Sequence, residues 1–280
     1  MLARDSMRSL VLSVLILLVV LLSWYIATIP STGTQVVDEE YAKLVGAQAA
    51  TGQKSAFPTP IDVGKKLIEQ LSDPFYDRGP NDKGIGIQLA WSISRVGLGF
   101  LLAAVVAIPL GFVIGMSRVL FKALDPFIQV LKPISPLAWM PLALFTLKDS
   151  NVSAIFVIFI CSVWPMLINT AFGVASVRKE WMDVSLTLEV KPLRKAFLVV
   201  LPAAAPTIMT GMRISIGIAW LVIVAAEMLV GGTGIGYFVW NEWNNLSIAN
   251  ILVAVLMIGL IGMFLDMIFA RLQKSVTYRD

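Results

Sequence analysis

Chemistry needs particular side chains, and this sequence of 280 residues is short of most of them. It has no histidine, which removes Ser-His-Asp and Cys-His nucleophiles, H-E-x-x-H zinc sites and imidazole proton relays. Cys161 stands inside an apolar run, where a thiol is a small hydrophobe, and it has no second cysteine to pair with. No G-x-x-x-x-G-K-S/T phosphate loop is present, so nucleotide hydrolysis is not expected of this chain. The stretch "GGTGIGYFVWNEWN" carries Gly231, Gly232, Gly234 and Gly236 without G-x-G-x-x-G spacing or a preceding strand. It reads as an external turn with Tyr237, Trp240 and Trp243 as interfacial aromatics.

What the sequence offers is electrostatics in an apolar setting. Arg95 and Arg213 interrupt apolar runs, and an arginine at mid-bilayer costs about 2.5–3.5 kcal/mol. A cation held there raises the local potential where an anion passes. Glu227, farther along the Arg213 run, is a partner open to Arg95 and joins the candidate set. Each arginine has two open roles, lining an anion pathway or forming a structural ion pair; Arg95 can also snorkel to the outer surface. Trp139 and Met140 stand among Pro133, Pro136 and Pro141 in "PISPLAWMPLAL", where they line a pathway or simply pack.

The elements that must position these residues are membrane helices. Only 14% of residues are charged, against about 25% in soluble proteins, and 58% are hydrophobic. The deficit falls in runs of about 20 residues, the length of a bilayer crossing. Such runs lack the alternation of barrel strands. The expected fold class is all-α integral membrane with six transmembrane helices: Leu10–Ile29, Gln88–Met116, Phe127–Leu147, Ser153–Val174, Val199–Val230 and Ile248–Ala270. The first run is longer than a signal-peptide core and no small-x-small site clearly closes it, so it reads as a span.

Lysine and arginine set the orientation. Arg4, Arg8, Arg118, Lys122, Arg178, Lys179, Lys191, Arg194, Lys195, Arg271, Lys274 and Arg279 fall on one side if the spans alternate. The other side's short loops hold Lys148 alone. Both termini are therefore expected in the cytoplasm, with the chain multi-pass in the plasma (inner) membrane. The net charge of +4 is explained by this bias and asks for no nucleic-acid partner. Residues 1–87 read as a first span plus a long external loop, mixing Asp38, Glu39 and Glu40 with Lys65 and Lys66. Within that loop, Pro60 opens a surface helix with Ile61, Leu67, Ile68 and Leu71 on a weak apolar face. Residues 88–271 form a five-helix core, and 272–280 a cytoplasmic tail.

One charged stretch, "KEWMDVSLTLEVKPLRKAFLVVLP", separates the fourth and fifth spans. Met182, Leu186 and Val190 recur at helical spacing as an apolar ridge, and Leu193 and Phe197 repeat it after Pro192. Two short amphipathic helices with a turn between them are expected on the cytoplasmic side.

This stretch resembles the loop of ABC importer permeases written E-A-A-x(3)-G-x(9)-I-x-L-P. Asp183 takes the acidic position, Val184 and Ser185 the small ones, Glu189 the glycine, Val199 the aliphatic one, and Leu201-Pro202 close it. With glycine gone, a residue that turns freely at positive φ is missing, so Pro192 is expected to set the bend. "SISRVGLGFLLAAVVAIPLGFVIGM" and "GMRISIGIAWLVIVAAEMLVGGTGIGYFVWNEWN" look like the nitrate/sulfonate/taurine branch, closest to cyanobacterial nitrate/nitrite and bicarbonate permeases.

The resemblance implies a permease subunit for a small oxyanion, nitrate or nitrite first, with bicarbonate or sulfonate/taurine as alternatives. It implies a loop over about 177–202 that seats Asp183, Val184, Ser185, Leu186, Leu188, Glu189, Arg194, Leu201 and Pro202 on an ATPase. It further implies a second permease copy, two ABC ATPase subunits that hold ATP and Mg, and an external substrate-binding protein. This chain would hold no cofactor or metal. A secondary anion transporter would need its own coupling chemistry, and the spans supply few acids, Glu227 and Asp266. A membrane enzyme would need a polar catalytic cluster, which the sequence does not present.

Overall fold

The computed structural model describes residues 2–29 and 57–276. Asp38, Glu39 and Glu40 of the long loop, and Arg279 of the tail, lie outside the described residues. The chain divides into two compact units, Met1–Asp73 with Glu242–Val253, and Pro74–Asn241 with Ala254–Asp280.

In the first unit, α1 (Leu2–Thr28) extends the expected first span at its N-terminal end. None of its apolar window is buried within the protein, as suits a helix whose solvent is lipid. Trp24 meets Phe57 with ring centroids 6.2 Å apart, ahead of α2 (Pro60–Ser72). Pro60 sits in the first turn of α2, as expected, and Thr59 and Asp62 cap it reciprocally. Val63 is buried, while Ile61, Ile68 and Leu71 stay exposed.

The second unit begins with a hairpin that the helical reading did not include, β1 (Asp77–Gly79) against β2 (Asp82–Lys83). Its turn is tied to a later helix: Tyr237 Oη donates to Asn81 Oδ1 at 2.9 Å. Three long helices form the core: α3 (Ile85–Met116), α6 (Ser150–Ala175) and α9 (Leu201–Val230). Without a hydrophobic drive between helices in lipid, close backbone approach holds them together, and small residues permit it. At Gly111 an added Cβ would come within 2.7 Å of the Leu167 carbonyl oxygen.

The expected third span, Phe127–Leu147, is not one helix. It is α4 (Arg118–Leu131) and α5 (Pro136–Leu147), bent by 90° at the break. Pro133 has no N–H to continue α4, and Pro136 restarts the chain at the first position of α5. Among the described residues, five helices are therefore long and apolar enough to cross a membrane, or six if the bent pair counts as one. Arg118, Lys122, Asp125, Gln129 and Lys132 line one stripe of α4 at helical spacing. Asp125, Gln129 and Lys132 border a cavity of about 500 Å³ whose other wall includes Leu167, Ile168 and Ala171 of α6.

Beyond α6 come α7 (Lys179–Thr187) and α8 (Pro192–Lys195). The second short helix is not separate from the fifth span. It passes through a π turn, Ala196–Val200, directly into α9, so the apolar helix runs 39 residues from Pro192 to Val230. Pro202 explains the widening: it cannot donate to Leu198, and the Leu201 N–H reaches back to Ala196 instead. The chain closes with α10 (Ile235–Asn244) and α11 (Ile248–Val276).

Candidate functional site

The loop between α6 and α9 is built in three pieces. Arg178, ahead of α7, stacks its guanidinium over Trp181 at 5.5 Å. Met182 packs against the core cluster of Val174, Val200, Ala204 and Ile208. That contact sets the rotation of α7, and the expected Met182–Leu186–Val190 ridge does not form one outward face. Met182 and Val190 are half-buried, Ser185 is buried, and Val184, Leu186 and Leu188 stand exposed.

The turn after α7 keeps left-handed geometry despite the missing glycine. Glu189 has φ +49°. Its N–H donates to Leu186 O at 2.9 Å, and the Val190 N–H donates to Ser185 O at 3.1 Å. These two bonds are the Schellman closure of a helix end. The expectation that Pro192 replaces this turn is corrected: Glu189 makes it, and Pro192 starts the next helix at its first turn. Leu188 and Leu193, flanking the turn, are 70% and 76% exposed.

A buried polar centre joins α3, α6, α9 and the start of α10. Arg95 Nη1 donates to Glu227 Oε1 at 2.6 Å, with side chains only 8% and 1% exposed. Arg95 Nε and Nη2 both donate to Asn151 Oδ1, at 3.0 and 2.6 Å, and Nη1 also reaches Thr233 O at 2.7 Å. Ser92 Oγ donates to the Glu227 carboxylate at 2.8–2.9 Å. The leading N–H groups of α10 are capped from outside: Gly234 by Gln88 Oε1 at 2.6 Å, Ile235 by Ser92 Oγ at 2.9 Å, and Gly236 by Glu227 Oε2 at 3.0 Å. At Gly234 and Gly236 a side chain would collide with Glu227. The centre is a satisfied network that fixes the α9–α10 corner, and Arg95 turns inward rather than snorkelling.

A second polar row follows the seam of α9 and α11. Trp220 Nε1 donates to Ile258 O at 2.9 Å, and Gln273 Nε2 to Thr210 Oγ1 at 2.8 Å. Between them Arg213 grips Asp266 in bidentate fashion, Nε to Oδ1 at 2.7 Å and Nη2 to Oδ2 at 2.6 Å. This pair is open, at 39% and 53% exposure.

A family model described as binding-protein-dependent transport system inner membrane component matches residues 107–279. A nitrate import permease protein, NrtB, of Synechocystis sp. is 46% identical over 226 residues, covering 81% of this chain and 82% of that one. The chain belongs to the binding-protein-dependent transport system inner membrane components. A bicarbonate transport system permease protein, CmpB, of the same organism is also 46% identical, over 207 residues and 74% of each chain. In fold, the permease is similar to an inward-facing MetNI methionine ABC transporter. The TM-score is 0.61 at 13% identity, with 68% of this chain and 94% of that one covered. An amino acid ABC transporter structure gives a TM-score of 0.55 at 11% identity, with 76% and 95% covered.

The sequence-derived residues of this permease fall into separate places. Asp183, Val184, Leu186, Leu188, Glu189 and Arg194 are exposed on the loop, Ser185 is buried beneath it, and Leu201 and Pro202 are half-buried where the span begins. Arg95 and Glu227 come together; Arg213 lies apart from them, on Asp266. Met140 is buried and Trp139 half-buried in α5, away from either arginine's hydrogen bonds. Gln88, Ser92 and Asn151 were missed by sequence reasoning, and Asp266, noted as an acid within a span, was not paired with Arg213. The first two are visible in hindsight: Gln88, Ser92 and Arg95 follow i, i+4, i+7, a polar stripe on an otherwise apolar helix.

Proposed function

We propose that this permease works as one of two identical copies, each resting its α7–α8 loop on a separate ABC ATPase subunit that holds ATP and Mg. The cargo is a small oxyanion, nitrate or nitrite, delivered by an external substrate-binding protein. Import runs by alternating access, with hydrolysis confined to the partners and none in this chain. The basic residues of the loop and tail support a cytoplasmic position for both termini.

One observation carries this reading. A turn flanked by two exposed leucines, Leu188 and Leu193, stands at the base of a helix that continues through the span. Exposed leucines ringed by Lys191, Arg194 and Lys195 suit a groove on a partner, with the charges fixing orientation. Movement of that partner is transmitted to α9 without an intervening loop. Bicarbonate is the second reading, favoured by the equal identity to relatives named for each anion.

The test is to purify the chain with its genomic neighbours, reconstitute it in liposomes, and follow ATP-driven uptake of labelled nitrate and labelled bicarbonate. Nitrate uptake that needs both ATPase subunits and the binding protein is expected. Accumulation without ATP would overturn the importer reading, and uptake of bicarbonate alone would reassign the cargo.

A further inference from the structure

Two arginines interrupt the spans, and their surroundings are opposite in kind. Arg95 has Nε, Nη1 and Nη2 all engaged by Asn151, Glu227 and Thr233, in a closed interior. Arg213 donates to Asp266 from Nε and Nη2, and among the described residues its Nη1 makes no hydrogen bond. Arg213 lies twenty-one residues from the start and seventeen from the end of the apolar helix Pro192–Val230, about 25 Å from Val230 at 1.5 Å per residue, and so within the apolar span. Acyl chains cannot satisfy an open guanidinium edge at that depth.

We propose that the outer edge of Arg213 is a contact for the transported oxyanion, and that Asp266 is the positioning residue that aims the guanidinium and weakens its hold. The inference rests on the oxyanion-importer reading above. With Asp266 on the Nε–Nη2 side, the guanidinium still presents parallel N–H groups from Nη1 and Nη2. That fork matches two oxygens of a nitrate, bicarbonate or sulfonate group. The carboxylate already on Arg213 cancels most of the net charge. A transport path needs this moderation, because an ion must be held well enough to enter and loosely enough to leave. Thr210 and Gln273 extend the polar row one to two turns along the same seam.

The full complex with ATPase subunits and binding protein, in liposomes, is assayed for ATP-driven uptake of labelled nitrate, bicarbonate and taurine. Native uptake of none of them overturns the importer reading and this assignment together; uptake of any one isolates the variants as the test. Arg213→Gln combined with Asp266→Asn removes both charges at once and leaves neither unpaired. The assembled double variant is expected to lose uptake at least about tenfold, the scale of one charge-assisted hydrogen bond. Uptake within about twofold of native would show a merely structural pair and overturn the proposal. Where the double variant does not assemble, Asp266→Asn alone decides. It leaves the cation uncompensated, so KM and the maximal rate are both expected to fall; a KM unchanged or raised overturns the proposal.

Discussion

Arg95 and Glu227 form a 2.6 Å ion pair between α3 and α9, and the same carboxylate caps the N-terminus of α10 through Gly236. Glu227 thus has two tasks, neutralising a buried cation and turning the chain at the end of the longest span. Removing one partner of such a pair leaves an uncompensated charge, which costs about 3–5 kcal/mol. Glu227→Ala is expected to lower the thermal stability of the purified complex on that scale. Arg95→Met in the same background should recover much of the loss, since an apolar replacement of both partners is tolerated. Equal melting temperatures for native and Glu227→Ala complexes would contradict the network.

Glu189 holds a left-handed backbone that costs an L-residue about 1–2 kcal/mol, a conformation glycine adopts freely. Glu189→Gly is expected to be neutral or stabilising by up to about 1 kcal/mol, because part of the gain is offset by glycine's freedom in the unfolded chain. Glu189→Val, β-branched and ill-suited to positive φ, should open the turn. Limited proteolysis between Leu188 and Pro192 reports the difference; equal cleavage of the two variants would refute it.

Leu188 and Leu193 contribute little to the fold, being largely exposed. Leu188→Asp and Leu193→Asp should leave the unfolding free energy of the isolated permease within about 0.5 kcal/mol of native. Co-purification of ATPase subunits should nevertheless collapse. Retained association would remove the turn from the docking surface.

Pro202 forces the π turn by withholding one donor. Pro202→Ala restores that N–H to Leu198 and allows an ordinary α-helix, which changes the rotation of α8 relative to α9. Assembly is expected to survive while more ATP is hydrolysed for each anion imported. An unchanged ratio of ATP to anion would mean that the π turn has no part in coupling.

Helix positions were legible because apolar runs of membrane length have few alternatives. The second, fourth, fifth and sixth spans agree with α3, α6, α9 and α11 to within several residues at their ends. The third was not, because prolines at 133 and 136 announce a break without giving its direction; the right angle depends on what α4 packs against. Pairings were harder still. Arg95 and Glu227 are 132 residues apart in sequence, and Arg213 and Asp266 are 53 apart, so helix packing chooses the partners. The loop was read correctly as a short helix, a turn and a second helical piece, but that second piece runs on into the fifth span. The loop's rotation was not legible, since Met182 answers to Val174 and Val200 rather than to its own periodicity.

The helix from Pro192 to Val230 has 39 residues, about 58 Å at 1.5 Å each, whereas a bilayer with its headgroups measures about 40–45 Å. Standing upright, it outreaches the lipid by more than two turns. A water-soluble machine can therefore take hold of its foot without stripping hydration from phospholipid headgroups. The grip becomes a matter between proteins alone, and changes in lipid headgroup composition should leave it untouched.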